Sequence, residues 1–278
     1  MFWYQSRNFA LRPTQVRYQA ALRPDMIVLC HSKLLARTCE CEDVFAFMKQ
    51  ILLSWSSGKD SAWCLQVLRA SSEYKIVGLL TTFNQAADRV AMHAVRRELV
   101  ERQADVSGIP LWPVDLPWPC ANEKYEELMA GACRKAINRG IEGIAFGDLF
   151  LQDVRAYRER QLQGTGLEPI FPLWGQPTDE LARTMIRSGV RAKLTCVDTN
   201  QLAAEFAGRE FDESLLAALP AAIDPCGEKG EFHSFVYAGP MFEREIPVDL
   251  GERVVRDQFV FADLLYCGHI GNTRPRKL

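Results

Sequence analysis

Six consecutive residues, Ser56-Ser57-Gly58-Lys59-Asp60-Ser61, put hydroxyls, a glycine, an ammonium and a carboxylate between an apolar run and an amphipathic stretch. Between a strand and a helix start, such a turn presents backbone N–H groups and the positive end of the helix dipole to an anion. Lys59 adds a point charge. Gly58 is expected to take positive φ and let a phosphate approach. Asp60 falls in the first helical turn and is a candidate Mg2+ ligand. A merely structural capped turn would use Ser, Gly and Asp but has no need of Lys59. The spacing is not that of the common phosphate loop, which places four residues between its glycine and its Gly-Lys pair.

Three other clusters could do chemistry. Gly147-Asp148 follows the apolar Ile144–Phe146, with Asp148 a second candidate Mg2+ ligand. Arg155 and Glu159 share a helical face at a spacing of four, either as a surface ion pair worth about 0–1 kcal/mol or with Arg155 as a fork for carboxylate or phosphate. "DPCGEKGEFHSF", residues 224–235, sets Glu228 and Glu231 three apart among glycines, followed by His233 and Ser234. Two carboxylates so placed could act as a base pair or hold an ammonium. Cys226 has no base paired with it in sequence and is not expected to be a nucleophile.

These residues need elements to position them. Strands are expected at 49–55, 75–83, 111–114 and 144–146, and helices at 60–69, 91–107 and 122–139. Such alternation predicts α/β architecture with a doubly wound parallel sheet, Rossmann-like. Ligands of such sheets gather at the carboxyl ends of the strands, where both the 56–61 turn and Gly147-Asp148 fall. Further on, a helix at 178–188, a strand at 190–197 and a short helix in "FDESLLAALP" suggest a smaller α+β domain. The polar 224–242 stretch reads as turn-rich. The expected domains are 48–165 and 166–278, preceded by an N-terminal extension, 1–47, of poor order. Residues 1–38 carry six basic side chains and one acid, and Met48 opens "MKQILLSW", which reads as a natural beginning.

At 278 residues two domains are affordable. The formal net charge of −2 gives no general pull towards nucleic acid or an anionic membrane. No apolar run reaches the ~18 residues of a membrane span. Nine scattered cysteines without a Cys-x-x-Cys fit a reducing, cytoplasmic setting rather than a zinc or redox site.

"SSGKDS" resembles the pyrophosphatase loop of the ATP pyrophosphatases, usually Ser-Gly-Gly-Lys-Asp-Ser, with Ser57 where glycine is usual. "TTFNQAADRVAMH", "FGDLFLQDVRAYRE", "FPLWGQPTDELARTMIRSGVRA" and "DPCGEKGEFHSFV" are similar, in order, to the diphthine–ammonia ligase-like family, specifically its bacterial branch, over about residues 48–267. The resemblance implies an adenine nucleotide alpha hydrolase-like fold. It also implies an ATP-dependent ligase, with ATP and Mg2+ as cofactors, that adenylates a carboxylate, releases pyrophosphate and transfers ammonia. Ser56, Ser57, Gly58, Lys59 and Ser61 would hold phosphates. Leu80 and Thr81, ending the second strand, would meet adenine or ribose through backbone atoms. Met92 and His93 match a motif after that strand, with His93 either at the α-phosphate or substrate or a surface histidine on a charged helix. Gly147 would allow close approach, Arg155 and Glu159 would bind substrate, and Glu228, Gly230, Glu231, His233 and Ser234 would form the ammonia side.

His233 departs from the glutamate of the archaeal and eukaryotic pattern, which implies an acceptor other than diphthine, small or protein-borne. The partners expected are that carboxylate and ammonia, with room for a homodimer and with no nucleic acid or membrane. Two alternatives stand beside this reading. One is a tRNA-modifying relative, for which the basic N-terminal arm and Arg274-Pro275-Arg276-Lys277 are the only basic features. The other is a nucleotide-binding sensor without catalysis.

Overall fold

A computed structural model describes residues 48–91 and 93–268. The expected N-terminal extension, Met92 and the basic tail lie outside the described residues. The described residues form one compact unit.

β1 (Lys49–Ser54), β2 (Tyr74–Asn84), β4 (Leu111–Leu116), β5 (Gly143–Ala145) and β6 (Glu168–Ile170) are parallel, and β3 (Arg89–Val90) adds a short antiparallel hairpin to β2. The pairings run β4-β2-β1-β5-β6. The order therefore reverses between β1 and β5, which makes their carboxyl ends the topological switch point. Leu53 stands opposite Ala145 there, so the 56–61 turn and Gly147-Asp148 leave the sheet side by side.

The helices follow from their apolar faces. α1 (Lys59–Arg69) buries Ala62, Cys64, Leu65 and Leu68, and α2 (Arg97–Ser107) buries Leu99, Val100, Ala104 and Val106. Both pack into a core shared with the second sheet. α3 (Asn122–Ile137) and α4 (Gln152–Leu162) contribute Cys133, Ala136 and Leu162 to a separate core with Leu52, Leu80, Trp112 and Ile144, on the other face of the parallel sheet.

After α5 (Thr178–Arg187) come β7 (Arg191–Asp198), the short α6 (Glu213–Ala218), β8 (Phe232–Ala238), β9 (Val248–Arg256) and β10 (Phe259–Tyr266). The four strands form an antiparallel sheet in the order β8-β7-β10-β9. α6 is capped by Asp212, whose carboxylate accepts from Leu215 N–H at 2.8 Å.

Two expectations need correction. Ala91 and residues 93–96 are not helical: Arg89 and Val90 pair back onto β2, and α2 starts at Arg97. The 224–242 stretch is not all turn, since β8 packs Phe232, Phe235 and Val236 into the core. β6 forms despite Pro169, on the outer edge of the parallel sheet, where a missing N–H is tolerated.

Candidate active site

The 56–61 turn is built by strain in one residue and crowding at the next. Ser57, not Gly58, has positive φ (71°), while Gly58 is extended at φ −86°. Gly58 is needed for space: a Cβ there would lie 3.1 Å from His93 Cε1 and from the Ser234 carbonyl oxygen. Ser57 is held in its left-handed conformation from outside. Its carbonyl accepts from Val236 N–H at 3.0 Å and from Gln103 Nε2 at 3.0 Å. Gln103, wholly buried on α2, also donates to the Val236 carbonyl at 2.7 Å and accepts from Trp55 Nε1 at 2.8 Å. Ser61 Oγ donates to Gly58 O at 2.9 Å and lies 3.2 Å from Ser56 Oγ.

β8 closes over this turn. Lys59 N–H donates to Ser234 Oγ at 3.2 Å, and His93 Nδ1 lies 3.4 Å from the Ser234 carbonyl. The rings of His93 and His233 stack at 4.4 Å with 36° between planes. Burial lowers His93 to about 4, and burial, with His93 and Lys59 nearby, holds His233 well below its ordinary value, so both imidazoles are neutral near pH 7. The loop carrying His93 is anchored to β10, where Asp263 takes Arg89 at 2.8 Å and Arg96 at 2.5 Å.

Lys59 is buried, and its ammonium donates to Asp60 Oδ2 at 2.9 Å and to the Cys226 carbonyl. It therefore faces the 224–228 loop. Burial would lower its pKa, but Asp60 and Glu228 among its neighbours reverse the shift, and Lys59 stays charged. Glu228 accepts from Leu149 N–H at 2.8 Å. Burial, with Asp60 and Asp148 adding to it, pushes Glu228 up to about 8. Burial also raises Asp60 against Lys59, and Asp148 against Arg158, whose Nε is 3.6 Å from Asp148 Oδ2. Glu231 turns elsewhere: it is 1% exposed, and Oε1 accepts from Asp224 N–H at 3.0 Å. Asp224 ties the loop by accepting from Thr178 Oγ1, Cys226 N–H and Glu228 N–H. Gly230 has φ 82° at the turn between the two glutamates. The Cys226 thiol is raised by burial, which keeps it protonated and unreactive.

Among the described residues, four buried side-chain oxygens have no hydrogen-bond partner: Ser57 Oγ, Asp60 Oδ1, Glu231 Oε2 and Asp148 Oδ2, the last keeping only its ion pair with Arg158. All four belong to the motifs gathered here, and unpaired buried polar atoms call for an explanation such as a bound ligand or ion.

Other expected contacts are differently placed. Gly147 packs on the helix: a Cβ would lie 3.0 Å from the Asp60 carbonyl carbon and 3.1 Å from Ser61 N. The close approach it permits is that of α1. β2 runs on to Asn84, so Leu80 and Thr81 do not end it. The Leu80 carbonyl accepts from Trp55 N–H, and Thr81 Oγ1 donates to Trp55 O. Arg155 and Glu159 pair with each other at 2.8 Å, and Arg155 stacks over Phe171 and Trp174. Arg158, Asp224 and Gln103 escaped sequence reasoning. Arg158 could have been found as the arginine one turn beyond Arg155, whereas nothing in the sequence marked Gln103.

Fold and site together define an α/β protein of Rossmann-like architecture, with an anion-ready helix N-terminus at its switch point and a smaller antiparallel sheet folded over it. Comparison with known families narrows this. The diphthamide synthase N-terminal domain matches residues 48–169 and the diphthamide synthase C-terminal domain matches 177–264. The chain belongs to the diphthamide synthase family. It is similar to the diphthine–ammonia ligases of Homo sapiens (25% identical over 232 residues, 76% of this chain and 87% of the relative) and Rattus norvegicus (24% over 234 residues, 76% and 87%). It is also similar to that of Danio rerio (26% over 229 residues, 74% and 89%).

Proposed function

We propose that this chain is an ATP-dependent ligase that adenylates a carboxylate and converts it to an amide. The observation that carries this reading is the pair of buried oxygens left without a hydrogen-bond partner in the turn, Ser57 Oγ and Asp60 Oδ1, beside the buried Asp148 at the β5 end. In the proposed reaction a substrate carboxylate oxygen attacks the α-phosphorus of ATP, and the α–β phosphoanhydride bond breaks to release pyrophosphate. Ammonia then attacks the acyl carbon, the acyl–phosphate C–O bond breaks, AMP leaves, and the nitrogen gives up a proton.

Ser56, Ser57, Gly58 and Ser61, at the N-terminus of α1, would hold the β- and γ-phosphates through backbone donors, hydroxyls and the helix dipole. Lys59 supplies the charge that offsets Asp60 and Glu228. Asp60 and Asp148 would take Mg2+; this ion usually needs one or two carboxylates with substrate phosphates completing its shell, and the orphaned Asp60 Oδ1 fits that donor set. When bound, the ion would neutralise phosphate charge. Glu228, poised near neutrality, is the group to accept the proton from nitrogen. Glu231 and Gly230 would shape the ammonia side, and Arg155 with Glu159 the outer substrate contact. His233, standing where the archaeal and eukaryotic pattern has glutamate, is the ground for reading a member of the bacterial branch with an acceptor carboxylate other than diphthine. Residues 48–165 would serve the nucleotide and 166–278 the acceptor, in the cytoplasm.

Cleavage position tests the reading. With ammonium and a metabolite pool, β,γ-imido ATP is expected to support AMP release, and α,β-methylene ATP is expected to block it. The reverse pattern would mean transfer of the γ-phosphoryl group and would overturn the proposal.

A further inference from the structure

β9 is the outermost strand of the antiparallel sheet, and among the described residues no strand pairs with its outer edge. Its sequence, Val248-Asp-Leu-Gly-Glu-Arg-Val-Val-Arg256, reads in reverse with complementary chemistry. About a centre between Glu252 and Arg253, Asp249 corresponds to Arg256, Leu250 to Val255, and Glu252 to Arg253. Leu250 and Val255 are 48% and 70% exposed, with Val255 the more open of two aliphatic side chains left beside a sheet face that is otherwise core.

A regular strand could not use this symmetry, because residues five or seven apart point to opposite faces. β9 is not regular. Arg253 pairs with Ala262 and Leu250 with Leu264, so three steps in β9 span two in β10, which is a β-bulge. The extra residue flips the alternation. Val255 and Leu250 stand opposite Val260 and Leu264, both on the core face, while Arg256 and Asp249 stand opposite Phe259 and Leu265, both on the other face. Leu250 therefore shares a face with Val255, and Asp249 with Arg256, the residues they would meet. Because Phe259 and Leu265 lie six apart on regular β10 pairing, Arg256 and Asp249 also present their backbone groups to the same side of β9.

We infer that a second copy of this chain docks on β9, antiparallel, across a two-fold axis that passes between Glu252 and Arg253 perpendicular to the sheet. The contact is isologous. It sets Asp249 against the copy's Arg256 twice, sets Leu250 against Val255 twice, and joins two four-stranded sheets into one. Edge charges and a bulge ordinarily discourage strand addition. Here their order makes the edge repel unrelated strands and accept its own reverse.

Sedimentation equilibrium of the full chain over a concentration series tests this. A reversible dimer is expected. Arg256→Asp, which sets like charges opposite each other at both symmetric contacts, should raise its dissociation constant at least about tenfold. Val255→Lys should also weaken it. The exchanged pair Asp249→Arg/Arg256→Asp should return the constant towards wild type, because only the order of the charges has changed. All three positions are exposed, so the variants should fold. A wild-type chain that is monomeric throughout overturns the proposal. So does a dimer indifferent to both single changes, or an exchanged pair no better than Arg256→Asp alone.

Discussion

The backbone N–H of Lys59 donates to the side chain of Ser234 at 3.2 Å, joining two motifs 175 residues apart in the chain. The phosphate-type turn is therefore not completed by its own strand and helix. The second motif supplies part of its wall, so the site exists only when the antiparallel sheet has closed over the parallel one. Replacing Ser234 with Ala removes that acceptor. The expected result is a loss of about 1 kcal/mol in stability and a raised KM for ATP with a smaller change in kcat, read from urea melts and initial rates.

Gln103 holds the same junction from α2. Gln103→Met keeps shape but leaves the Trp55 N–H and the Ser57 and Val236 carbonyls without this partner. Groups left unsatisfied in the interior cost about 1–3 kcal/mol each, and neighbouring losses do not add. A destabilisation of about 2–5 kcal/mol is expected, together with weaker ATP binding in the folded fraction by calorimetry.

Ser57 carries the left-handed conformation of the turn without being glycine. Ser57→Gly relieves that strain at some cost in unfolded-chain entropy, so stability should be equal to wild type or greater by up to about 1 kcal/mol. Ser57→Ala keeps the strain. Both lose the hydroxyl, so if Ser57 Oγ meets a phosphate, both should bind ATP more weakly even though their melting temperatures differ.

Two titrations of opposite sign shape the pH dependence of stability, in windows that overlap between about 4.5 and 6.5. Glu228 is raised in the fold from about 4.5 to about 8. Between those values the folded protein keeps a proton that the unfolded chain has lost, so stability falls as pH rises through this window. Glu228→Gln should flatten that fall. It should also remove the rise in amide-forming rate expected as pH climbs through about 8. The histidines act in the opposite direction. His93 and His233 are held neutral by burial, so acidification from 6.5 towards 4 protonates the unfolded chain first and stability falls with pH. Urea melts of His233→Gln below pH 6.5 should show a shallower loss than wild type.

Much of this was legible in the chain. Apolar runs and an interposed polar turn announced β1, the turn and α1, and Gly147-Asp148 marked the end of β5. What stayed hidden depended on contacts distant in sequence. Which of Ser57 and Gly58 takes positive φ is decided by Gln103 and Val236 on one side and by His93 and Ser234 on the other. β8 was masked because its motif begins with polar turn residues and because burial runs unbroken from Ser234 to Tyr237 where a half-buried strand would alternate. Glu228 and Glu231 look alike in sequence. Yet one reaches Leu149 beside Asp148, and the other reaches back to Asp224, because Gly230 turns the chain between them.

The most direct test follows the α-phosphate. Full-length protein, Mg2+, α-labelled ATP, ammonium and a fractionated metabolite pool would be incubated beside Lys59→Ala, and the labelled products separated. The account predicts labelled AMP with stoichiometric pyrophosphate for wild type, dependent on a carboxylate-containing fraction, and neither product for Lys59→Ala. Labelled ADP, or ATP bound tightly and recovered unchanged with every fraction, would contradict it.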